Sequence, residues 1–130
     1  MPNEKSDPTS VIRNVAEVEW QELPGHHGGA LSKLLVHPDT LGSRQLDYRI
    51  SLYQPKGHVE RHSHVVQEQI YHVLSGEGLM EIGTRRQVVR THDVIFIPPG
   101  VMHSISNTGL TDLVFLVITS PVTDTTLPAG

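Results

Sequence analysis

The sequence predicts an all-β fold, a sandwich or barrel closed as a jelly roll. Three observations carry that reading. Apolar stretches are short and rich in Val, Ile and Leu, they recur at near-even spacing, and clusters of Gly, Pro and Asn cut them apart. Helical periodicity is almost absent. Many short strands at such spacing suit a closed double-sheet architecture.

Taken in order, residues 1–10 (MPNEKSDPTS) are polar with two prolines and read as a loosely attached arm. Residues 11–21 are ambiguous between a turn of helix and a strand, with Val and Ile favouring the strand and no clear cap. The candidate strands are 30–37, 46–53, 59–64, 69–75, 79–82, 87–90, 93–97, 101–106 and 113–119. The breakers are Pro38-Asp39 with Gly42, Pro55-Lys56-Gly57, Gly76-Glu77-Gly78, Gly83, Pro98-Pro99-Gly100 and Asn107-Thr108-Gly109. His26-His27-Gly28-Gly29 reads as a loop, and its histidines are able to cover a binding site. The division is an arm over 1–10, one barrel domain over 11–120, and a Pro-, Thr- and Gly-rich tail over 121–130 that trails over the surface.

Composition narrows the function classes. A chain of 130 residues suits one domain able to bury a core without staples. The formal net charge is −4 with no basic stripe, which argues against nucleic acid as a partner. Cysteine is absent, which removes thiolate chemistry and cysteine-bound metals. No signal-peptide core is present, and the longest apolar runs, 113–118 and 94–97, are far too short to span a bilayer. The expectation is a soluble cytoplasmic protein without a membrane partner. Nine histidines against three lysines point to a site rather than a charged surface.

The central feature is His62-Ser63-His64. On a strand, positions i and i+2 face the same side about 7 Å apart, so both imidazoles can reach one ion. Alone the pair is weak, and its surroundings strengthen it. Residues 57–76 read GHVERHSHVVQEQIYHVLSG, and residues 92–107 read HDVIFIPPGVMHSISN.

These two stretches resemble the two sequence motifs of the cupin superfamily, here in a small single-domain form. The first motif carries a His-x-His pair, a third ligand a few residues on, and a closing glycine. In the second, Pro98, Gly100, His103 and Asn107 match P-x-G-x-x-H-x-x-x-N position by position. The fifteen residues 77–91 between them match the shortest microbial members. The resemblance implies a double-stranded β-helix, or jelly-roll, barrel. It also implies one divalent metal ion held by His62, His64, His103 and a fourth residue.

The chain departs from the pattern in three places. Four residues rather than five separate Gly57 from His62. His92 stands where the second motif has glycine, so its turn is made without a free positive φ or with a strained one. Gln69 rather than a glutamate falls at the fourth ligand position, with Glu68 beside it. Strand alternation lets only one of these two face the ion unless a bulge intervenes. The family spacing favours Gln69, as in cupins that use three His and one Gln. Four neutral ligands leave the ion its full +2 charge, whereas a glutamate lowers it to +1. Zinc, iron, nickel, manganese, cobalt and copper all remain candidates.

Parity supplies the rest of the site. His58 and Glu60 share the face of His62 and His64 if the strand extends that far. Tyr71 shares the face of Gln69, and Val101 and Ile105 that of His103. Phe96 and Phe115 are candidate walls. Tyr71 and Glu60 are the candidate catalytic acid and base. Arg44, Arg49 and Arg61 are candidate carboxylate clamps. His72, His92 and His37 are read as non-ligands, and Asn107 as a turn stabiliser.

Two functions follow from the resemblance. One is a metal-dependent enzyme acting on a small chelating oxygenated molecule, with isomerase or lyase chemistry favoured over dioxygenation. The ligand set resembles that of cupins that linearise unsaturated uronates. The other is a non-catalytic metal- or ligand-binding module. The resemblance further implies a homodimer, with residues 11–18 as the exchanged strand.

Overall fold

The computed structural model describes residues 10–125 and is almost entirely β. Ten strands follow in chain order: β1 (His26–His27), β2 (Ala30–Val36), β3 (Asp47–Tyr53), β4 (His58–Val59), β5 (Glu68–Ser75), β6 (Glu77–Ile82), β7 (Arg85–Arg90), β8 (Val94–Ile97), β9 (His103–Ser106) and β10 (Leu113–Ser120). They form two five-stranded antiparallel sheets, ordered β1-β4-β9-β6-β7 and β2-β3-β10-β5-β8. This is the jelly roll expected from the strand spacing. Among the described residues no helix is long and apolar enough to cross a membrane.

Alternation explains which way each strand faces. β10 buries every second residue, with Leu113, Phe115, Val117 and Thr119 inside. β8 buries Ile95 and Ile97, which turns Phe96 outward at 55% exposure. Of the two phenylalanines read as walls, only Phe115 is one. The second sheet carries ordered cross-strand rows on its inner face. Asp47, Thr119, Gln69 and Ile97 form one row, and Arg49, Val117, Tyr71 and Ile95 the next. Ser51, Phe115 and Val73 follow, so the barrel changes from polar to apolar along its length. At the apolar end, Tyr53 and Phe115 meet edge to face at 5.0 Å between ring centroids.

Several boundaries differ from the sequence expectation. The strand expected over 59–64 is regular only at His58–Val59, followed by an isolated bridge between His62 and His103. Val59 is the buried residue of that pair, so His58 and Glu60 point outward rather than with His62. Between the Ser106–His58 pair and the His62–His103 bridge the 58–62 segment advances four residues against three on β9, and this one-residue bulge breaks the alternation. β6 begins at Glu77 because only Gly76 makes the turn. At φ +82° its hydrogen faces the Asp112 carbonyl, and a Cβ would stand 2.3 Å from that oxygen. The presumed loop at His26-His27 pairs with β4 as β1. The Pro38 breaker opens one helical turn, Pro38–Leu41.

The segment ahead of the barrel forms a 3-10 turn, Val15–Glu17, closed by a capping box between Asn14 and Glu17. Within the chain it lies along its own β2. Arg13 donates to the Leu34 and Leu35 carbonyls, and Lys33 donates to the Val15 carbonyl at 2.9 Å. Of the arm expected over 1–10, residues 1–9 lie outside the described residues, as do residues 126–130 of the tail expected over 121–130.

His92 resolves the second departure from the motif by adopting φ +73°, the strained option. Its N–H donates to the Val73 carbonyl at 2.8 Å, and the Asp93 carboxylate accepts from the Arg90 N–H at 2.8 Å. These bonds hold a non-glycine residue in a region that costs about 1–2 kcal/mol. His92→Gly is expected to stabilise the protein by about 0.5–1 kcal/mol once glycine's unfolded-state entropy is deducted. Urea unfolding with the midpoint unchanged or lowered would contradict that account of the turn.

Candidate metal centre

Three of the nine histidines converge. His62, His64 and His103 each offer a ring nitrogen, and these nitrogens lie within 4.8 Å of one another. The backbone brings them there. His62 and His103 exchange both N–H···O bonds, at 3.0 and 2.8 Å, which clamps the 62–64 segment to β9. The Gly100 N–H donates to the His64 carbonyl at 2.7 Å and ties the Pro-Pro-Gly turn to the same segment. The ring centroids stand 4.3 Å (His62–His103), 5.0 Å (His62–His64) and 5.4 Å (His64–His103) apart.

Hydrogen bonding fixes which nitrogen faces inward. His103 Nδ1 lies 2.9 Å from the Val101 carbonyl, and His62 Nδ1 lies 2.6 Å from the Glu60 carbonyl. A carbonyl only accepts, so each Nδ1 carries the proton and each Nε2 presents a lone pair. His64 Nδ1 stands 3.4 Å from an Asp124 carboxylate oxygen, and its Nε2 is buried with no hydrogen-bond partner in the protein. Gln69 completes the set. Its amide nitrogen donates to Thr119 Oγ1 at 3.0 Å, which leaves Oε1 facing His103 Nε2 at 3.0 Å. Glu68 is exposed on the other face of β5, and no bulge brings it inward. Three imidazole lone pairs and an amide oxygen therefore share one place with no donor among them. Such a donor set fits a divalent cation.

Electrostatics favours the ligand form of the histidines. Burial lowers the His103 pKa to about 4; the bond to the Val101 carbonyl opposes this, and charge on His62 or His64 adds to it. Burial lowers His62 as well, against its bond to the Glu60 carbonyl. Both rings are neutral near pH 7.

A cavity of about 310 Å³ opens onto this cluster. Tyr71 and Phe115 form part of its wall with ring centroids 5.4 Å apart, and Tyr71 meets His103 edge-on at 6.2 Å. Burial raises the Tyr71 phenol far above its usual range, so it stays protonated as a donor. Glu60 borders the same cavity from its rim, with its side chain 65% exposed and paired to His27 Nε2 at 2.5 Å. Arg49 and Arg61 line the cavity, whereas Arg44 is on the surface. His26 lines the mouth, so the histidine segment does border the site, as a strand rather than a loop. His72 and His92 face each other at 6.2 Å on the outside. Asn107 donates to the Tyr53 and Thr111 carbonyls and accepts from the Gly109 N–H, which makes it a turn residue.

Asp124 was not legible in the sequence. It falls in the segment read as a trailing tail, yet its Oδ1 accepts from the Val65, Val66 and Gln67 N–H groups at 2.9, 3.0 and 3.2 Å. Gln67 in turn donates to the Pro121 carbonyl. Burial opposes ionisation of Asp124, but these three N–H groups and His64 outweigh it and lower its pKa. The carboxylate thus braces both the loop that carries His64 and the ring itself. Asp124→Ala is expected to weaken divalent-metal affinity about 10–100-fold, as loss of a carboxylate behind a ligating histidine does. Competition with a chromophoric chelator measures it, and an unchanged constant would remove Asp124 from the site.

Comparison with known proteins agrees with this fold. The Cupin domain family matches residues 49–119. The oxalate-binding protein of Thermotoga maritima is 30% identical over 114 residues, covering 85% of this chain and 93% of that protein. A crystal structure described as a predicted oxalate decarboxylase, also from Thermotoga maritima, superposes with a TM-score of 0.76 at 25% identity. It covers 85% of this chain and 99% of the other. The polyketide cyclase RemF of Streptomyces resistomycificus shares the fold, with a TM-score of 0.77 at 21% identity over 88% of this chain and 80% of its own.

Proposed function

This chain belongs to the cupin domain family, and from that premise we propose that it is a metal-dependent enzyme acting on a small oxygenated molecule. The observation that carries the reading is the four inward acceptors: Nε2 of His62, His64 and His103 with Oε1 of Gln69, beside a cavity large enough for a small ligand. These four residues would hold one divalent transition-metal ion. When bound, the ion supplies Lewis acidity toward chelating oxygen atoms of the substrate.

The protein's own groups divide the remaining work. Tyr71, kept protonated by burial, donates a hydrogen bond to a substrate oxygen or serves as general acid. Glu60 accepts a proton at the cavity rim, and His27, 2.5 Å away, passes it to solvent. Phe115 and Val117 exclude water from the inner wall. Redox-neutral isomerase or lyase chemistry is favoured over dioxygenation because a neutral Gln69 leaves the centre most electrophilic. A homodimer is the proposed assembly, in which exchange of residues 11–18 would carry the Arg13 contacts on β2 to a partner.

A second reading, a non-catalytic ligand-binding module, is favoured by the likeness to a protein named for binding oxalate. Metal-loaded protein assayed against unsaturated uronates and β-diketones separates the two, since binding without turnover supports the module. His103→Ala and His62→Ala are each expected to lose tight metal binding. Full retention in either correctly folded variant would overturn the proposed centre. Tyr71→Phe is expected to lower turnover about 100-fold with metal content unchanged. Equal turnover by the variant would remove the phenol from the chemistry.

A further inference from the structure

The inner face of β3 carries polar residues where a barrel core ordinarily packs apolar ones. Asp47, Arg49 and Ser51 all line the cavity. The Asp47 carboxylate accepts from Arg49 Nε at 3.2 Å and from Arg49 Nη2 at 2.6 Å, so the guanidinium is held side-on. Asp47 is itself buried, and His37 Nε2 stands 3.8 Å behind it. A pair sheltered to this degree gains little over apolar packing, so its presence calls for a role other than stability.

We propose that Arg49, fixed by Asp47, is the anion-binding end of the cavity, and that the cavity takes a small molecule carrying a carboxylate distal to its metal-chelating end. The inference rests on the metal-centre reading above. Two of the five guanidinium N–H groups serve Asp47, which leaves three outside that pair to meet a carboxylate. Arg49 and Tyr71 lie in one cross-strand row, two strands apart, with backbones about 10 Å from each other. Gln69 follows on the same face of Tyr71's strand. Held to Asp47 on its own strand, the guanidinium leaves roughly two strand spacings to Tyr71's strand, a span suited to a ligand of about four to six carbon atoms, in keeping with the modest cavity. Val117 stands between Arg49 and Tyr71 in that row, and Phe115 lies one row further on, so the cavity wall there is apolar.

The test uses full-length Ni²⁺-loaded protein and calorimetry with 2-hydroxy acids. Malate, 2-hydroxyglutarate and 2-hydroxyadipate are compared with methyl-ended 2-hydroxy acids of the same chain length. The wild type is expected to bind at least one diacid about 10–100-fold tighter than its methyl-ended counterpart. Arg49→Gln is expected to erase that preference while leaving affinity for the methyl-ended acid within about twofold. Because Arg49→Gln leaves Asp47 unpaired, the charge-balanced Asp47→Asn/Arg49→Gln variant is measured beside it and is expected to behave alike. Equal binding of both acid classes by the wild type at every length, or a preference that survives in both variants, overturns the proposal. Ni²⁺ titration of metal-stripped protein reads the centre separately. Failure to take Ni²⁺ sinks the metal reading together with this one, whereas tight Ni²⁺ binding without discrimination sinks this one alone.

Discussion

The site depends on two hydrogen bonds that leave the imidazoles no choice of tautomer. The carbonyls of Glu60 and Val101 accept only, so the protons of His62 and His103 sit on the outer nitrogens and the lone pairs face the centre. Asp124 acts similarly on His64 from the far end of the chain. The protein has thus gathered acceptors in one place and stationed the donors behind them. Such an arrangement repels itself unless something positive lies between, which is why the donor set rather than the mere presence of histidines defines the centre.

The barrel frame converts this local chemistry into a directional cavity. Cross-strand registry sets Asp47, Thr119 and Gln69 in one row and Arg49, Val117 and Tyr71 in the next. The rows beyond are filled by Phe115, Val73, Tyr53 and Leu113. One end of the barrel is therefore a packed apolar plug and the other a polar chamber. The plug fixes the strands that the chamber needs held still.

Much of this was legible in the residues. Strand spacing gave the architecture, and the His-x-His pair with the later Pro-x-Gly-x-x-His led to the three converging imidazoles. Alternation made Glu68 and Gln69 exclusive, the family spacing favoured Gln69, and β5 buries Gln69 while exposing Glu68. Where parity failed, the cause is local. The 58–62 segment carries one residue more than the stretch of β9 it faces, so His58 and Glu60 do not share the face of His62. Phe96 had no parity to read until the ends of β8 were fixed. Asp124 was invisible because its partners are backbone N–H groups 57 to 59 residues away, and no periodicity or motif reports such a bond. The capping box at Asn14 and Glu17 overturns the expectation of no clear cap over residues 11–21, because its two reciprocal bonds close only a three-residue turn with no helical periodicity behind it.

That long reach from Asp124 has a consequence for how the protein is made. A ligand loop braced from nearly sixty residues downstream cannot take its final shape while β10 is unbuilt, because the carboxylate arrives only with the end of that strand. Loop closure over such a separation is costly until the barrel has formed. A metal held by this centre would therefore be captured in finished geometry after assembly of the barrel, since before it the chain offers only scattered histidines.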